Sequence, residues 1–238
     1  MNSITDAGLG KHYLLMNDNS IFNNNLTLTS ILGDTLCKFT DFERSTVDRV
    51  MQSRGMGVLV PPRIYRINGQ IMLKKGHNDT VFRVSLPNRL TPTYVLNWGN
   101  YKPDISAHVA GSALEGKLVF GSMIETPRFI FIYYTEGRDF PNNRDRGNVK
   151  DYWAIYNKTT RTITHHITSD ARALIENDIE PVGMPFWPEG INHRGEMYMF
   201  FSKETIKWYI ERGIKRNVKL QTIYDSMNDG EVCIMVVN

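Results

Sequence analysis

Apolar and polar residues alternate in short runs along most of this chain, and turn residues separate the runs. Period-two alternation is the pattern of a strand with one face buried. The first such runs are His12 to Met16, Leu26 to Leu32 and Thr35 to Phe39, with Asn23-Asn24-Asn25 and Gly33-Asp34 as turns. Asp41 to Ser53 is polar with scattered apolar positions and reads as a helical turn inside a long connection. The clearest set runs from Arg63 to Trp98. Ile64 to Ile67 and Gln70 to Lys74 flank Asn68-Gly69, the strongest two-residue hairpin signal. Thr80 to Val84 alternates, Leu86-Pro87-Asn88 breaks it, and Thr93 to Trp98 is the expected last strand, stopped by Gly99-Asn100.

Two of these segments nearly repeat. Gly33-Asp34-Thr35-Leu36-Cys37-Lys38-Phe39 matches Asn78-Asp79-Thr80-Val81-Phe82-Arg83-Val84: a turn residue, Asp-Thr, then apolar, apolar, basic, apolar. Asp34 and Asp79 lie 45 residues apart. A period of about 40–50 residues built from short strands is the signature of a β-propeller blade. A third set follows: Lys117 to Ile124, Arg128 to Thr135, Tyr152 to Tyr156 and Thr162 to Ile167, with Glu136 to Lys150 inserted between its second and third strands. Gly190 to Phe201 holds further strand material around His193-Arg194-Gly195. Ser202 is placed to cap a helix running to about Arg212, in which Ile206, Tyr209, Ile210 and Ile214 keep helical spacing and Glu211 and Lys215 form an i,i+4 pair. Val218 to Met227 is a second helix, and Val232 to Val237 is a final apolar strand that completes a blade begun elsewhere in the chain. The expected fold is all-β: a propeller of four-stranded antiparallel blades, about four of them present, with short C-terminal helices, in a single domain over residues 1–238.

The chain resembles the bacterial six-bladed β-propeller family, largely lipoproteins encoded by Bacteroidetes. The pieces that carry the resemblance are Gly33 to Cys37, Asn78 to Val84, Tyr94 to Lys102, Gly183-Met184-Pro185-Phe186-Trp187-Pro188 and Asn228 to Val237, in that order. Asn228-Asp229-Gly230-Glu231 stands where the family has an Asp-Asn-Pro turn. The resemblance implies export, as a periplasmic or outer-membrane lipoprotein of the cell envelope in the full-length form. It also implies that this chain is the C-terminal two-thirds of such a protein, N-terminally incomplete. With roughly two blades missing, on the order of 80–100 residues, the strands near His12 to Met16 and Val232 to Val237 would present open edges, and self-association through them is expected.

Composition narrows the partners. The 238 residues carry 28 Lys and Arg against 25 Asp and Glu, a net charge of +3. Positive residues are dispersed, the densest run being Lys203 to Lys219, and no recognition motif accompanies them, so nucleic acid is not an expected partner. No run has the ~18 apolar residues of a membrane helix, and Met1 to Lys11 has no signal-peptide pattern. Cys37 and Cys233 sit in apolar strand-like runs and read as buried thiols, not a disulfide framework.

Candidate chemistry lies in aromatics and histidines. Trp98, Tyr101, Phe186 and Trp187 border Gly or Pro turns, where rings serve either to stack on sugars and other flat ligands or to pack blade against blade. For Phe186-Trp187, between Pro185 and Pro188, packing is the favoured reading. His77, His108 and His193 lie near turns in three segments, and propeller loops could gather them for zinc or iron; the plainer reading is surface residues. His165 and His166 are adjacent on one strand and face opposite ways, so they cannot share a metal. Asp139, Asn142, Asn143, Asp145 and Asn148 form an oxygen-rich loop, but Arg138, Arg144 and Arg146 oppose a calcium ion there. No Gly-x-Ser-x-Gly, Walker or His-Glu-x-x-His motif occurs, so no nucleophile, metal site or cofactor is named.

The leading expectation is therefore a non-catalytic binding propeller for a small molecule, glycan, peptide or protein, with Trp98, Tyr101, His108, Trp187 and His193 as candidate ligand contacts. The alternative is a propeller hydrolase or lyase with histidines gathered at the channel mouth. A third is a scaffold that docks partners through the Ser202 to Met227 helices.

Overall fold

The structure is a computed structural model of the chain, and it describes residues 13–17, 26–30, 32, 34–39, 63–74, 78–85, 89–103, 116–137, 149–168, 184–192, 194–211 and 218–237. The chain divides into two compact units, residues 1–123 with 133–150 and residues 124–132 with 151–238.

The described strands form antiparallel sheets. β1 (Tyr13–Asn17), β2 (Leu26–Ser30) and β3 (Thr35–Phe39) make a three-stranded meander. β4 (Arg63–Ile67), β5 (Gln70–Lys74), β6 (Thr80–Ser85) and β7 (Arg89–Val95) make a four-stranded one in chain order. Its first hairpin turns at Asn68 and Gly69 with φ of 49° and 73°, the positive pair that a type I′ turn needs and that Asn-Gly tolerates. β8 (Leu118–Glu125), β9 (Phe129–Glu136), β10 (Lys150–Asn157) and β11 (Thr162–Thr168) form the second four-stranded meander. β12 (Gly190–Ile191), β13 (Met197–Ser202) and β14 (Val232–Val237) form the last sheet, and α1 (Lys203–Glu211) and α2 (Val218–Ser226) lie between β13 and β14 in the chain.

In the first unit the β4–β7 sheet is covered on both faces. Ile71, Leu73 and Val84 form one face and cluster with Phe39 and Cys37 of the first sheet, with Ile64 and Leu90 at the margin. On the other face of β5, Met72 and Lys74 are also buried, and the Lys74 ammonium lies 4.4 Å from the centre of the Phe120 ring. A strand buried on both sides reads as a continuous apolar run, as Ile71-Met72-Leu73 does.

The strand expected at Thr93 to Trp98 is instead β7, Arg89–Val95. Pro92 does not break it, because β7 is the edge of its sheet and proline's missing N–H removes no ladder bond there. The register slips opposite Val81/Phe82, the bulge that accommodates it.

In the second unit Ser202 does cap α1: its hydroxyl accepts from the Thr205 N–H at 3.2 Å. Ile206 and Tyr209 of α1 and Leu220 of α2 are buried, while Ile223 and Tyr224 of α2 are half-buried, so the apolar stripe of α1 faces inward and that of α2 is covered only in part. The i,i+4 pair on α1 is Lys207 with Glu211 at 3.8 Å; Lys215 is outside the described residues. β14 completes the sheet begun at Gly190, pairing with β13 over its whole length without a bulge. Its inner face is half-buried, beside the buried Met199 and Phe201 of β13; on the outer face Val232, Ile234 and Val236 are more than half exposed, beside Phe200. The Tyr198 ring of that face lies across Gly190, where any Cβ would collide with it. No helix among the described residues is long and apolar enough to cross a membrane.

Candidate functional site

The chain that leaves β7 makes a corner whose backbone is fastened at several points. Asn97 Oδ1 accepts from the Gly99 N–H at 3.0 Å, an Asx turn. Gly99 then takes φ +56°, which favours glycine, and a single 3-10 turn spans Gly99–Tyr101. The Tyr101 N–H donates to the Trp98 carbonyl at 3.1 Å. The near-repeat Asn78-Asp79-Thr80 holds the corner from beneath. Asn78 Oδ1 accepts from the Thr80 N–H at 2.8 Å, and the Asp79 carbonyl accepts from the Leu96 N–H at 2.9 Å. The Asp79 carboxylate pairs with Lys102 at 2.6 Å. On the other side Lys117 Nζ donates to the Asn100 carbonyl at 3.0 Å.

This frame sets the aromatic positions. Trp98 is half-buried and meets Tyr134 edge-on, with ring centroids 5.2 Å apart. Burial pushes the Tyr134 phenol above its ordinary 10.0, since a phenolate would lose its hydration there. Tyr101 is 59% exposed, held on the rigid turn with its ring available to a ligand. The corner therefore combines one presented ring, one half-buried ring and two ammonium groups whose positions are set by hydrogen bonds.

The other expected contacts fall differently. Trp187 is 4% exposed and is the centre of an aromatic core: Phe131 stands perpendicular to it at 5.5 Å, Trp153 meets it at 67° and 4.8 Å, and the Trp187 backbone N–H donates to the Met199 sulfur at 3.3 Å. That is the packing reading of Phe186-Trp187. His108 and His193, with His77, lie outside the described residues, as does most of the Glu136 to Lys150 loop. His165 and His166 are exposed on β11 at successive positions, facing opposite sides of its sheet. Among the described residues no three His, Cys, Asp or Glu side chains are grouped to hold a metal. Sequence reasoning passed over Lys102, Lys117 and Tyr134; the Asn97-x-Gly99 spacing, an Asx-turn signal, was the available pointer to a fixed corner.

The comparisons with known proteins bear on fold and family. No functionally curated protein matches the chain. Its fold is similar to that of a "Putative exported protein" from Bacteroides fragilis NCTC 9343, with a TM-score of 0.59 at 14% identity over 95% of this chain. The chain spans 62% of the length of that protein. The model of the domain of unknown function DUF4933 matches residues 10–212, and the chain belongs to that family.

Proposed function

We propose that this protein is a non-catalytic ligand-binding β-propeller of the cell envelope, which takes a glycan or another flat polar ligand on the Trp98–Lys102 corner. Successive antiparallel meanders joined by tight turns support the propeller reading, as does the packing of the β4–β7 sheet on both faces, since propeller blades stack face to face. The Bacteroides fragilis protein of similar fold is named as exported, and this supports placement outside the cytoplasm.

The observation that carries the binding reading is Tyr101, 59% exposed on a turn fastened through Asn97, Asp79 and Lys117. A large ring left in water at a floppy loop tip is uninformative. One carried on a hydrogen-bonded turn has already met the backbone part of the ordering cost that a ligand would otherwise impose. Aromatic faces stack on the apolar faces of sugars, and the two ammonium groups of the same corner can supply polar contacts such ligands need.

The test is a glycan-array screen of the wild type and Tyr101→Ala, followed by calorimetry on each hit. Selective binding that falls at least tenfold in Tyr101→Ala, with an unchanged melting temperature, supports the reading. Wild-type binding that survives Tyr101→Ala places the site elsewhere. Repurified protein that turns over a bound glycan removes the non-catalytic part.

A further inference from the structure

We infer that the ligand of the Trp98–Lys102 corner is anionic, a saccharide bearing carboxylate or sulfate groups; this rests on the corner being the binding site. Two ammonium groups are fastened next to Tyr101 along the chain. Lys102 follows Tyr101 directly in the chain, and Lys117 Nζ is bonded to the carbonyl of Asn100, which directly precedes it. Each ammonium has three donors. Lys117 directs one to Asn100, and Lys102 directs one to the Asp79 carboxylate. The remaining donors are open to a ligand, and the Lys102 side chain is 50% exposed.

Both groups are placed before any ligand arrives. A free lysine gives up much rotamer freedom when it binds an anion; a tethered one gives up less. The charge balance points the same way. The Asp79 carboxylate is engaged by Lys102 and only 21% exposed, so of the three charged groups fastened into this frame two are cationic. A neutral sugar would use the Tyr101 ring and leave both cations unused. An anionic one engages ring and cations together, through charge-assisted hydrogen bonds that are stronger than neutral ones.

The test uses matched probes that differ only in charge: oligogalacturonate and its methyl ester, heparin oligosaccharide and its desulfated form, and sialyllactose and lactose. Affinities are measured by calorimetry at low and high salt for the wild type, Tyr101→Ala, Lys102→Gln, Lys117→Gln and Lys102→Arg. The expected result is that at least one acidic probe binds at least tenfold more tightly than its neutral counterpart and weakens with salt. Each Lys→Gln change should reduce that affinity about tenfold, and Lys102→Arg should retain most of it. Melting curves show that the variants are folded, and Lys102→Arg separates loss of charge from loss of structure. Neutral probes that bind as well as acidic ones, lost in Tyr101→Ala but untouched by the lysine changes, would overturn the charge inference and leave the aromatic site standing. Binding by none of the six probes would overturn it too, and Tyr101→Ala tested on the array hits would then judge the site by itself.

Discussion

Lys158→Met should be among the most destabilising single changes in the second unit. Lys158 Nζ donates to Glu125 Oε1 at 2.5 Å and to the Thr126 carbonyl at 2.8 Å. The Lys158 N–H donates to the Arg128 carbonyl at 2.9 Å, so one residue ties the β10–β11 turn to the β8–β9 turn. The Glu125 side chain is 2% exposed and that of Lys158 is 21% exposed. Removing one partner of a buried ion pair costs about 3–5 kcal/mol, because the remaining charge keeps its desolvation penalty. Lys158 is partly solvated and Glu125 has a further interaction, so the lower end applies, about 3 kcal/mol. At about 2–4 °C per kcal/mol for a chain of this length, the melting temperature should fall by about 6–12 °C. Methionine preserves most of the lysine stem, which isolates the charge from the packing. Urea unfolding followed by tryptophan emission is the assay, since Trp153 and Trp187 both report from this unit. Glu125→Leu combined with Lys158→Met should recover most of the loss. A loss in Lys158→Met below about 1 kcal/mol, the value of an exposed pair, would refute the argument that this ammonium holds the two turns.

Trp187→Ala should cost about 3–5 kcal/mol by opening a cavity between Phe131 and Trp153, read as a lower urea midpoint. Gly190→Val should drive the Tyr198 ring off the last sheet; a lowered melting temperature and shifted aromatic NMR signals of Tyr198 and Phe200 would show it, and an unchanged spectrum would contradict it. Burial raises the Tyr134 phenol above 10.0 in the folded protein. Its contribution to stability is therefore intact below about pH 10 and lost as pH rises through the folded value, so the wild type should lose more stability than Tyr134→Phe between about pH 9 and about pH 11. Ile234→Thr, on the exposed face of β14, should change stability by less than about 0.5 kcal/mol in a denaturant titration; a large loss would mean that this face is covered.

Local chemistry made much of the strand order legible. Asn68-Gly69 dictates a two-residue turn through its backbone preferences alone, and that turn sets the register of β4 against β5. Ser202 announced α1 in the same way, because capping involves only residues within one helical turn. Pro92 marks the limit of such reasoning: whether a proline ends a strand depends on whether that strand lies at a sheet edge, a property of the sheet and not of the segment.

The roles of the aromatic residues lay further out of reach. Trp98 and Trp187 look alike in sequence, each beside a turn residue, yet one is half-buried at a presented corner and the other forms the centre of a core. The difference comes from Phe131, Trp153 and Tyr134, which the sheets bring from other parts of the chain. Lys158 and Glu125 are likewise 33 residues apart and meet only because two hairpin turns lie at the same end of one sheet. Strands, turns and caps follow from interactions between near neighbours, which the sequence alone determines. Burial and ion pairing follow from contacts between distant segments, and these exist only once the strands have paired and the sheets have packed.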